Sequence, residues 1–101
     1  MPKRVREHQA WLLERLLDPA VAAEYLNEAR EESRKSFLKA LRNVAEARRM
    51  AVVAQEAGVN RESLYRTLSE EGNPRLDTYD SLLDALGLDY TFIPKETNAK
   101  S

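Results

Sequence analysis

Asn60, Arg61 and Glu62, followed one helical turn later by Tyr65 and Arg66 and then by Ser69, set two guanidinium forks, a carboxylate, an amide and hydroxyls along one edge of a segment whose remaining anchor positions, Leu64 and Leu68, are apolar. An arginine fork donates two hydrogen bonds to guanine, and a glutamate accepts from the amino group of cytosine. Each well-made pair discriminates between bases by about 1–3 kcal/mol. Arg61 and Arg66 therefore suit base or phosphate contacts. Tyr65 suits packing on a sugar–phosphate backbone or a thymine methyl, and Asn60 sits where an amide either caps a helix or meets a phosphate beside the helix dipole. Arg48, Arg49 and Arg75 flank the segment as phosphate clamps. The same residue types also serve as a plain solvated helix face, and the residues alone leave both readings standing.

The rest of the composition removes other chemistries. There is no cysteine, so neither a disulfide framework nor a thiolate metal site is available. His8 is the one histidine; without further ligands or a nucleophile beside it, it reads as a solvated surface residue rather than a metal ligand or a catalytic base. Glu31-Glu32 and Glu70-Glu71 fall at helix ends in solvent, where nothing raises a pKa. The expectation is a binding protein and not an enzyme, with no cofactor and no metal. No run approaches the roughly 20 apolar residues that span a bilayer. The basic start Lys3-Arg4-Val5-Arg6 leads into a charged amphipathic stretch rather than a signal-peptide core, so the expected place is the cytoplasm, without a membrane partner.

The chain of 101 residues is 43% hydrophobic and 33% charged, the balance of an ordinary folded domain. Its net charge of -1 runs against a uniformly basic nucleic-acid binder, so the argument rests on distribution. Arg42, Arg48, Arg49, Arg61, Arg66 and Arg75 occupy the middle, whereas Asp77, Asp80, Asp84 and Asp89 crowd the carboxyl end with no basic residue between them. That asymmetry suits two faces with different partners, or simple solvation.

Side chains at 60–69 can be presented together only if neighbouring elements hold that helix. Residues 50–69 read as a helix-turn-helix with helices over 51–57 and 61–69 and a turn at Gly58-Val59-Asn60. Gly58 supplies the positive φ, Ala54 the close approach, and Val53, Ala57, Val59, Leu64 and Leu68 the inward face. Gly72-Asn73-Pro74 closes the second helix, with Gly72 as a left-handed terminator. A further helix spans about 78–86, capped by Asp77 and stopped by Gly87. Upstream, apolar stripes at Val5, Leu12, Leu13, Leu16 and Leu17, then Ala22, Tyr25, Leu26 and Ala29, then Phe37, Leu38, Leu41, Val44 and Ala45 predict three more helices. Asp18-Pro19 starts the second and Ser33 or Ser36 the third. Trp11 suits either a core anchor or an exposed contact. Leu88, Tyr90 and Phe92 alternate with polar residues and read as one short strand, which needs a partner from another chain.

The fold expected is thus all-α, with five or six short helices, a central helix-turn-helix and a short C-terminal strand. It forms one compact unit: an N-terminal helical extension over 1–35, a helix-turn-helix domain over 36–94 and a disordered tail over 95–101. One recognition helix covers few base pairs, so operator binding implies a homodimer on half-sites about 34 Å apart, with Leu88, Tyr90 and Phe92 at the dimer interface.

These residues resemble the HigA-like addiction-module antidote family, relatives of the phage-repressor helix-turn-helix proteins. The similarity runs from Leu13-Glu14-Arg15-Leu16 through Asp18-Pro19, Ala22-Ala23-Glu24-Tyr25-Leu26-Asn27 and Phe37-Leu38-Lys39-Ala40-Leu41-Arg42-Asn43-Val44-Ala45. It is most specific over Asn60–Pro74 and continues to Ala85-Leu86-Gly87-Leu88. The resemblance implies a dimeric repressor that binds the double-stranded operator DNA of its own operon and neutralises a RelE/HigB-like ribonuclease toxin encoded beside it. Ala51 departs from a pattern that commonly has a capping serine or threonine. Asp80 and Asp84 stand where relatives commonly carry basic residues, which implies a toxin-facing role for them.

Overall fold

The structure, a computed structural model, describes residues 3–96. Six helices follow one another: α1 (Lys3–Arg15), α2 (Pro19–Glu32), α3 (Arg34–Ala47), α4 (Met50–Ala57), α5 (Arg61–Thr67) and α6 (Leu76–Ala85). Their starts are written in the local sequence. Asp18 caps α2, its carboxylate accepting from the Ala20 amide at 3.0 Å, and Pro19 occupies the first turn where no amide donor is needed. Ser33 ends α2 and starts α3, its hydroxyl accepting from the Ser36 amide at 2.9 Å. With one residue between them, α2 and α3 fold back on each other, and Asn43 donates to the Tyr25 hydroxyl at 2.7 Å, joining the middle of α2 to the second half of α3.

Packing places α4 at the centre of the second half. It lies against α3, α5 and α6 and contributes buried Met50, Val53, Ala54 and Ala57. Leu16 from the turn after α1, Leu26 from α2, Leu41 and Val44 from α3, Leu64 and Leu68 from α5 and its end, and Leu82 and Leu86 from α6 and its end complete one continuous core. Burial of these side chains, rather than helix propensity, holds the short α4 and α5 in place. α1 is the least embedded. Trp11 is 53% exposed, stacked near His8 at 5.7 Å and covered by Arg15 at 5.4 Å from its ring centre. It is therefore a surface aromatic and not a core anchor. Among the described residues, no helix is long and apolar enough to cross a membrane.

Several boundaries differ from those the sequence suggests. α4 begins at Met50 with Arg49 as its cap, so Ala51 lies inside the helix rather than at the capping position. α6 begins at Leu76, and Asp77 lies within its first turn, accepting from the Thr78 amide at 2.7 Å. Gly72 has no positive φ; a β-carbon there would collide with the Thr67 carbonyl. Its role is close backbone approach. Gly72→Ala should accordingly cost about 1–3 kcal/mol through overpacking against backbone that cannot swing away, seen as a lower urea midpoint at unchanged slope.

The expected C-terminal strand is not present: among the described residues there is no strand at all. Gly87, at φ 75°, reverses the chain at the end of α6, and the Leu88 amide bonds back to the Leu83 carbonyl at 2.9 Å. Leu88 then packs against the core, while the Tyr90 hydroxyl donates to Asp80 at 2.7 Å. The alternation at Leu88, Tyr90 and Phe92 reflects a segment laid along α6, with no ladder. Residues 97–101 of the expected tail lie outside the described residues.

Candidate nucleic-acid interface

The turn between α4 and α5 is built from three residues with separate tasks. Gly58 adopts φ 79° and ψ 24°, and the Val59 amide returns to the Ala54 carbonyl at 3.0 Å, closing α4. Val59 tucks against the core. Asn60 is extended and its side-chain oxygen accepts from the Ser63 amide at 2.7 Å, so α5 starts on a satisfied cap. With Leu64 and Leu68 fully buried, the opposite side of α5 must face solvent, and Asn60, Arg61, Glu62 and Arg66 are all exposed there.

Asn60, Arg61, Glu62 and Tyr65 together line an open depression of about 410 Å³. Tyr65 is half-buried: its hydroxyl donates to Glu46 of α3 at 3.2 Å, and the Arg61 guanidinium lies 5.8 Å from its ring centre. Tyr65 therefore fixes α5 onto α3 and lends Arg61 a platform. Ser69 donates to the Arg66 carbonyl at 2.8 Å, which holds the end of α5 closed. α5 thus exposes the cations of Arg61 and Arg66 and the carboxylate of Glu62 on a helix anchored from within, and such groups can hydrogen-bond base edges or phosphates.

The flanking arginines have different surroundings. Arg49 is exposed and holds φ 74°, the one described non-glycine residue with positive φ. No side-chain bond caps α4 there. Strain of this kind costs about 1–2 kcal/mol, so Arg49→Gly should raise stability by roughly 0.5–1 kcal/mol after the glycine's own entropy cost. Paired urea titrations of parent and variant would read it. Arg48 is half-buried, with its Nη2 donating to the Leu17 carbonyl at 3.5 Å and its Nε without a partner. Arg75 is exposed and lies 3.4 Å from Asp77. The Thr78 amide first, and Arg75 second, hold the Asp77 carboxyl below the usual carboxylate range.

Asp80 and Asp84 are exposed on α6. Asp80 accepts the Tyr90 hydroxyl, and that bond is the main reason the Tyr90 phenol sits above its ordinary pKa. Of the residues first placed at a dimer contact, Leu88 is half-buried while Tyr90 and Phe92 are exposed. Residues with no signal in the sequence also prove structural. Glu46 positions Tyr65, and Arg34 donates to the Gly72 carbonyl at 3.3 Å and to Asn73 at 2.9 Å, securing the loop that follows α5.

The chain is thus a small helical unit in which α5, anchored by Leu64 and Leu68, carries exposed guanidinium groups on its outer side. Comparison with known proteins gives the kind: the family model described as "Probable addiction module antidote protein" matches residues 10–94, and the chain belongs to that family. It is similar to an uncharacterized protein of Haemophilus influenzae strain Rd, 42% identical over 67 residues that cover 65% of this chain and 69% of that protein. No solved structure matches it. An antidote acts against a toxin, so in general terms a toxin is its partner.

Proposed function

We propose that this antidote is HigA-like: a phage-repressor-type helix-turn-helix protein that binds operator DNA as a homodimer, represses its own operon and neutralises a RelE/HigB-like ribonuclease toxin. α4 and α5 form the helix-turn-helix, and α5 is the recognition helix. The supporting observation is the orientation of α5. Leu64 and Leu68 are sealed in the core while Arg61, Glu62 and Arg66 stand clear of it.

In this reading the amino-terminal end of α5 enters the major groove. Arg61 and Glu62 meet base edges there, and Arg66 meets a base or a phosphate farther along. Asn60 caps the helix and leaves its amino terminus open to a phosphate. Tyr65 positions the helix through Glu46. Ser69 lies at the far end of the contact. Arg49 and Arg75 serve as outer phosphate clamps, and Arg48, whose guanidinium is drawn toward Leu17, steadies the joint behind them. The exposed Asp84 of α6 suits a toxin that must itself be positively charged to grip RNA. The protein works in the cytoplasm by binding alone, without catalysis, cofactor or metal.

The test is a mobility shift on the DNA upstream of the chain's own gene, repeated at rising salt and against unrelated duplex. Steep salt dependence together with preference for the upstream DNA supports the reading. Equal and weak binding to both duplexes contradicts it.

A further inference from the structure

On the side of the molecule formed by α2, α3, α6 and the chain after Gly87, four aromatic rings run in series. Phe37 and Tyr79 have centroids 6.4 Å apart, Tyr79 and Tyr90 5.7 Å, and Tyr90 and Phe92 6.1 Å. The string carries unusual apolar exposure for a soluble chain: Phe92 is 89% exposed, Ile93 83% and Leu76 70%. Charge is divided along it. At one end the Arg30 guanidinium lies 6.0 Å from the Phe37 ring centre, and Arg34 stands beside it on the rim of a cleft of about 400 Å³ that includes Phe37, Leu76 and Tyr79. Beside the third ring Asp80 accepts the Tyr90 hydroxyl, and Asp89 borders a second cleft that also includes Phe37, Tyr79 and Tyr90.

An aromatic strip with guanidinium groups beside Phe37 and a carboxylate bonded to Tyr90 is complementary to itself when turned by 180°. We infer that this strip is the two-fold interface of a homodimer, in which Phe92 and Ile93 of each copy enter the Arg30–Arg34 cleft of the other and Asp80 and Asp89 face the partner's Arg30 and Arg34. A two-fold contact uses the same patch on both copies, so one charge division supplies both ends of the interface. A toxin made to grip RNA would meet the Arg30–Arg34 end with like charge, which selects the second copy as occupant. No backbone ladder is involved. The inference rests on the homodimer within the proposed function and specifies the surface that makes it.

The experiment uses the full chain in sedimentation equilibrium, with circular dichroism to verify folding. Two charge-reversed variants are compared, Arg30→Asp/Arg34→Asp and Asp80→Arg/Asp89→Arg. Each alone sets like charges against each other at both ends and should raise the dimer dissociation constant at least about tenfold. Mixed one to one, they set opposite charges together again and should recover a dimer close to parental affinity. Phe92→Glu, at an exposed position that carries no core packing, should weaken the dimer similarly and covers the case in which a charge variant fails to fold. If the parent is dimeric and the folded variants dimerise unchanged, or if the mixture stays monomeric, this interface is overturned while the dimeric repressor survives. If the parent is monomeric at every concentration yet still binds its operator, both the interface and the dimer within the proposed function fail.

Discussion

Leu64→Ala is expected to lower the unfolding free energy by about 2–5 kcal/mol, the range for truncating a fully buried leucine. In a domain of this size that displaces the melting temperature by roughly 10–30 °C. Leu64 is fully enclosed, on the inner face of α5, and belongs to the one continuous core. Two features place its cost toward the upper part of the range. α5 spans only Arg61–Thr67, too short to be stable without tertiary support. Its neighbours are also held by hydrogen bonds that resist collapse into the void: Tyr65 is tied to Glu46, and Arg34 to the 72–73 turn. Thermal and urea denaturation followed by circular dichroism measure the loss. A shift below about 0.5 kcal/mol, within the range of an ordinary surface substitution, would mean that α5 does not depend on this anchor. The orientation argued for its outer face would then lose its physical basis.

The elements were legible where a single residue type solves a local backbone problem. Asp18-Pro19 and Ser33 satisfy amide donors at helix starts, Asn60 does so for α5, and Gly58 takes the positive φ that ends α4. Each of these signals acts over four residues or fewer. Misreadings occurred where one local pattern has two physical sources. Alternation at Leu88, Tyr90 and Phe92 arises equally from a strand and from an irregular segment lying along a helix. Only the reversal at Gly87 and the Tyr90–Asp80 bond distinguish them. A glycine before Asn-Pro looks like a left-handed terminator, yet Gly72 is required by the nearness of the Thr67 carbonyl.

What remained hidden was pairwise and distant. Tyr65 finds Glu46 across 19 positions and Arg34 finds Asn73 across 39, and nothing in either local sequence announces the other. The division of the arginines was equally invisible. Arg48 and Arg49 are adjacent and chemically identical, but the φ of 74° at Arg49 ends α3 and begins a new direction for α4. One guanidinium is thereby turned toward Leu17 while its neighbour faces solvent. The candidate interface is therefore readable as residue types and becomes a surface only through α3, whose Glu46 and buried Val44 support α5 and α4 from behind.

Replacing both Arg61 and Arg66 with alanine is expected to leave the fold intact and to weaken operator binding by about 2–6 kcal/mol if both make good contacts, a loss of roughly 30-fold to 25,000-fold. Both side chains are exposed, and their removal should change stability by no more than about 0.5–1 kcal/mol, the upper part coming from the Arg61–Tyr65 contact. The single variants separate the two kinds of contact. A guanidinium on a phosphate, when lost, weakens binding to all duplexes alike and lowers the slope of log affinity against log salt by about 1. One on a guanine leaves that slope nearly unchanged and narrows the gap between operator and unrelated DNA. Arg61, at the start of α5 beside the Asn60 cap, is the expected base reader, because the amino-terminal residues of a recognition helix reach deepest into the groove. Arg66, at the helix's final turn, is the expected phosphate contact. Unchanged operator affinity and unchanged salt slope in the double variant would show that the exposed face of α5 serves solvation alone, and the DNA-binding part of the proposed function would fall with it.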